Sequence, residues 1–69
     1  MQTLINSDMK ESNGASLQAN TYYSEDGTYS VEYSVDGHQV KTESYPGKSI
    51  YFVESAVRNW FEGVKTLNG

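Results

Sequence analysis

The chain contains no cysteine, so neither a disulfide nor a thiolate zinc site is open to it. It has a single histidine, His38, and no serine set in a nucleophile elbow. Triad chemistry needs a base, a nucleophile and an orienting acid in contact, and these residues do not supply it. Basic residues are few and scattered: Lys10, Lys41, Lys48, Arg58 and Lys65 stand against nine acidic residues, for a net charge of −4. A phosphate-binding surface needs clustered Lys and Arg, so direct nucleic-acid binding is not expected. No run of about 18 apolar residues is present, so no membrane-spanning helix is expected. The opening residues Met1 to Asn6 lack a basic stretch followed by an apolar one, so no secretion leader is expected and the cytoplasm is the expected location. Metal and cofactor sites are not expected either. Glu25-Asp26 and Asp36 fall in different loops, and the glycines of the first fifty residues are accounted for by turns or loops.

What is present is aromatic and patterned. Six Tyr, two Phe and one Trp in 69 residues argue against disorder despite the polar average. The length suits one domain, spanning 1–69, with a small core and roughly 3–5 kcal/mol of net stability. Asn13-Gly14, Asp26-Gly27, Asp36-Gly37 and Pro46-Gly47 are turn dipeptides at the spacing of short strands joined by hairpins.

From Thr28 to Val35, Tyr29, Val31, Tyr33 and Val35 alternate with polar residues, the period of a half-buried strand. Leu17, Ala19, Thr21 and Tyr23 form a matching face upstream. A three-residue loop Glu25-Asp26-Gly27 brings the two faces together, pairing Tyr23 with Tyr29 and Ala19 with Tyr33. A two-residue turn at Asp36-Gly37 pairs Val35 with His38, Tyr33 with Val40, Val31 with Thr42, and Glu32 with Lys41 on the wet face. At the N-terminus a three-residue loop would turn Ile5, Ser7 and Met9 inward, whereas a two-residue turn would turn Asp8 and Lys10 inward. Ile50, Val53, Ala56, Val57, Trp60, Phe61, Val64 and Leu67 fall within an arc of roughly 140° on a helix capped by Ser49 and closed by Asn68-Gly69. The expected fold is therefore α+β: an antiparallel β-meander of three or four strands near 2–10, 16–24, 28–35 and 38–45, with one C-terminal amphipathic helix near 49–67 packed on one face.

The aromatic surplus outside this core is the most informative functional feature. Tyr22 and Tyr45 are expected on the wet face of the sheet, and Tyr51 and Phe52 on the exposed side or flank of the helix. Tyr joins a large rigid ring to a polar tip, which suits a protein interface. These four form the candidate interface. A sheet covered on one side also favours self-association, with a homodimer as the simplest form. No independent enzyme is expected from so short a chain with one helix. The alternative is an acidic inhibitor that imitates nucleic-acid charge, which would depend on Glu25, Asp26 or Asp36.

The segment Tyr45-Pro46-Gly47-Lys48-Ser49-Ile50-Tyr51-Phe52-Val53-Glu54-Ser55-Ala56, running on to Asn59-Trp60, and the ending Gly63 to Gly69 resemble short uncharacterised proteins encoded by myoviruses of marine cyanobacteria. The resemblance covers most of the chain and carries no activity or site residues. It implies a phage product made in the host cytoplasm that binds a host or phage protein. The order of elements is also distantly similar to the ββα units of YegP-like bacterial proteins, which occur in tandem where this chain has one.

Overall fold

A computed structural model describes residues 2–63. Four strands, β1 (Gln2–Ser12), β2 (Ala15–Ser24), β3 (Tyr29–Val35) and β4 (His38–Tyr45), precede one helix, α1 (Ile50–Phe61). The strands form one antiparallel sheet in the order β1-β2-β3-β4, and α1 packs against β3. This is the α+β meander the pattern implies.

The central hairpin follows the expected register, with Tyr23 opposite Tyr29 and Ala19 opposite Tyr33. Its loop closes with Gly27 N–H donating to the Ser24 carbonyl at 3.0 Å and Ser24 N–H donating to the Thr28 carbonyl at 2.9 Å. Gly27 has φ +89°, the left-handed position of a type I turn with a glycine bulge. The side chain of Asp26 supports the loop by accepting from Thr28 N–H at 3.0 Å.

The β3–β4 register departs from expectation after its second pair. Val35 does face His38, across a turn whose Asp36 and Gly37 have φ of 52° and 84°. A bulge at Val40 then shifts the pairing: Tyr33 faces Lys41, Glu32 faces Thr42, and Val31 faces Glu43. The expected Tyr33–Val40, Val31–Thr42 and Glu32–Lys41 pairs do not form. Val40 is 54% exposed, and Tyr45, expected on the wet face, is 8% exposed on the helix side. Burial of ring area explains the shift, because a Tyr removes far more apolar surface from water than a Val does. Asp36 also ties this turn to the second strand. Its N–H donates to the Ser16 carbonyl at 2.7 Å, and its carboxylate accepts from Ser16 N–H at 2.9 Å.

β1 is joined through a two-residue turn, with Asn13 and Gly14 at φ 53° and 81°. Ser12 therefore faces Ala15, Lys10 faces Leu17, and Asp8 faces Ala19. Of the two arrangements open at this turn, the one placing Asp8 and Lys10 on the helix side is realised. Lys10 remains exposed and Asp8 half-buried, so little charge is desolvated and the Asn-Gly preference decides the turn. A second bulge at Ile5 reverses the parity and sets Leu4 opposite Tyr22 on the far face.

The core is Ala19, Val31, Tyr33, Tyr45, Val53, Ala56, Val57 and Trp60. Ser49 caps α1, its hydroxyl accepting from Phe52 N–H at 3.3 Å. Val53, Ala56, Val57 and Trp60 repeat at i, i+3, i+4, i+7 and carry the buried stripe. The helix stops earlier than its apolar pattern suggests. Glu62 is the C-cap, and Gly63, at φ +84°, turns its N–H back to the Trp60 carbonyl at 3.1 Å. Val64, Leu67 and the expected Asn68-Gly69 cap lie outside the described residues.

The bulge gives a direct contrast. Val40→Lys should change stability by less than about 0.5 kcal/mol. Trp60→Ala should cost about 3–5 kcal/mol, the whole stability of so small a domain, and unfold it. Urea melts followed by far-UV circular dichroism read both.

Candidate functional site

The four candidate residues separate into two places. Tyr22 lies half-buried on the sheet face away from α1, opposite Leu4 and Ser30. That face is polar, with Ser7 Oγ donating to Asn20 Oδ1 at 2.7 Å, Gln18 Nε2 to the same oxygen at 3.1 Å, and Gln39 Nε2 to Thr42 Oγ1 at 2.7 Å. Tyr22 thus has no aromatic partner among the candidates.

Tyr45 and Phe52 do meet, edge to face with ring centroids 6.0 Å apart. They join Glu43, Ser44, Pro46 and Lys48 around a shallow open groove of about 430 Å³ where β4 turns into α1. The Lys48 ammonium stands 4.9 Å from the Phe52 ring centre, an arrangement the ring quadrupole favours. Phe52 is 47% exposed and Tyr51, beside it on the first turn of the helix, is 77% exposed. Tyr45 contributes a ring edge from inside the core instead of the free surface expected of it, because the Val40 bulge turned it inward. Glu43, Pro46 and Lys48 complete the groove. They stood out only as a strand end and a turn in the sequence, and the aromatic spacing gave no signal for them.

Beneath the groove runs a polar chain. Tyr45 Oη donates to Glu43 Oε1 at 2.7 Å, and the Tyr33 and Tyr45 hydroxyls are 2.8 Å apart. A carboxylate only accepts, so Tyr45 gives its proton to Glu43 and receives the one from Tyr33. Lys41 Nζ stands 3.6 Å from Glu43 Oε2 and 5.3 Å from the Tyr33 ring centre. Burial pushes both phenols above their ordinary value of 10.0. For Tyr45 the hydrogen bonds to Tyr33 and Glu43 add to this, and for Tyr33 the Glu43 charge adds while the Tyr45 hydrogen bond partly offsets it. Both remain neutral donors at physiological pH. The chain satisfies buried oxygens and fixes the groove floor; raised phenols of this kind do not act as bases.

A second cleft, of about 340 Å³, lies between β1 and α1 and is lined by Asn6, Asp8, Thr21, Glu54, Val57, Arg58 and Phe61. His38 is exposed at the start of β4. Among the described residues no three His, Asp or Glu side chains are grouped to hold a metal ion, and no helix is long and apolar enough to cross a membrane. Compared with known proteins, the chain matches no family model, no curated protein and no solved structure.

The raised phenols set an alkaline limit on the fold. The unfolded chain releases these protons near pH 10 while the folded chain holds them, so stability is full below about pH 10 and is lost as pH rises above it. Titration of phenolate absorbance should show the last tyrosines ionising together with loss of helical circular dichroism. All six ionising in one smooth curve on an intact fold would contradict the buried pair.

Proposed function

We propose that the protein is a small non-catalytic interaction module that acts by binding another protein. The observation that carries this reading is the aromatic surface at the start of α1. Tyr51 and Phe52 stay exposed beside an open groove whose rim bears Lys48 and Glu43. Rings that reach solvent from a capped helix lose little conformational freedom on binding, and the flanking charges add orientation. The rigid Tyr33–Tyr45–Glu43 chain beneath them presents the surface in one arrangement. The resemblance of the Tyr45–Trp60 segment to cyanophage proteins favours a phage accessory role on a host or phage protein in the host cytoplasm.

The acidic-inhibitor alternative draws less support. Asp26 and Asp36 already use carboxylate oxygens on Thr28 and Ser16 N–H groups, so the structure of the turns accounts for them.

Affinity capture from host lysate separates the two. Tyr51→Ala with Phe52→Ala should abolish recovery of the partner while leaving the helix intact, since Ala is the better helix former. Binding that survives this variant but disappears in salt or on Glu25→Lys would favour the acidic reading.

A further inference from the structure

We infer that β1 is a self-pairing edge and that its occupant is β1 of a second copy, antiparallel about a two-fold axis at Met9. This adds a second surface, on the far side of the sheet from β4, to the interaction reading. β1 is an outer strand of eleven residues, Gln2–Ser12, and among the described residues no strand pairs with its free side. Met9, 67% exposed, and Leu4, 53% exposed, stand on it as uncovered apolar side chains.

The turn fixes which backbone groups are available. In an antiparallel pair closed by a two-residue turn, the residues flanking the turn exchange both hydrogen bonds and the pairs then alternate. Ser12, Lys10, Asp8 and Asn6 therefore direct their N–H and C=O groups at Ala15, Leu17, Ala19 and Thr21. Glu11, Met9 and Ser7 direct theirs at the open edge. In the regular stretch between the Ile5 bulge and the turn, a second β1 can bond only through those three, which limits the registers available there.

Charge selects among these registers. With Met9 opposite Met9, Ser7 meets Glu11 of the other copy, and Asp8 meets Lys10 twice. Asp8 and Lys10 then occupy the closely spaced non-hydrogen-bonded positions on the helix side of the sheet. The neighbouring registers put Asp8 against Asp8 or Lys10 against Lys10. An inward-facing charge ordinarily guards an edge against pairing. Here the two charges guard against every neighbouring register and complement each other in one. The Ile5 bulge ends the regular edge just before this segment, so the pairing is short and the dimer reversible.

Sedimentation equilibrium of the full chain over a concentration series tests this. The unaltered protein should show a reversible monomer–dimer equilibrium. Lys10→Glu and Asp8→Lys should each weaken it about tenfold, because two opposite-charge contacts become like-charge ones. The two variants move net charge in opposite directions, so general repulsion cannot explain a shared loss. Asp8→Lys combined with Lys10→Glu should restore the dimer, and Tyr51→Ala with Phe52→Ala should leave it unchanged. A protein monomeric throughout, a dimer indifferent to the single changes, or a charge swap no better than either single change would overturn the inference. Far-UV circular dichroism confirms that each variant is folded.

Discussion

The contact between Tyr33 and Trp60 organises this molecule. The rings meet at 4.7 Å, tilted by 48°, with Tyr33 fully buried and Trp60 6% exposed. Val31, Ala19, Val53 and Val57 pack around them, so the helix has one place to lie, across the third strand. Burying Tyr33 also buries a hydroxyl, and a buried hydroxyl without a partner costs about 1–3 kcal/mol. Tyr45 supplies that partner and Glu43 completes the chain. Both lie on β4, and both must face the helix. Val40 is expelled into a bulge as a result. The exposed valine, the inward glutamate and the groove beside Phe52 all follow from one buried aromatic pair.

Much of this was legible in the sequence. Turn dipeptides marked the hairpins, and alternation from Thr28 to Val35 with matching parity from Leu17 to Tyr23 fixed the central pair of strands. Ser49 marked the helix start. These features are local, and each is set by a residue within a few positions of it. What stayed hidden was non-local. Alternation in β4 offered Val40 and Thr42 as its inner face, and nothing nearby reveals that Tyr45, five residues beyond Val40, outweighs them. The Ile5 bulge has the same character, since it joins a register fixed at the Asn13-Gly14 turn to a first turn of strand with opposite parity. Gly63 lies within the span of the apolar helical pattern and acts as the helix stop.

The candidate site followed the same division. Tyr51 and Phe52 were placed correctly because helix phase is a local property set by the cap. Tyr45 was assigned to the wrong face; Tyr22 lies on the expected face, away from the helix, and so stands apart from the others. What remains is a smaller and better defined surface at the start of the helix, with a core tyrosine as its floor. It is separate from the β1 edge, so the two proposed surfaces do not overlap.

The bulge at Val40 is the most direct point of attack on this account. Nuclear Overhauser contacts across β3 and β4 read it without any substitution. The bulge gives backbone contacts from Tyr33 to Lys41 and from Val31 to Glu43, together with ring contacts between Tyr45 and Phe52. Backbone contacts from Tyr33 to Val40 and from Val31 to Thr42, with the Tyr45 ring in water, would contradict it.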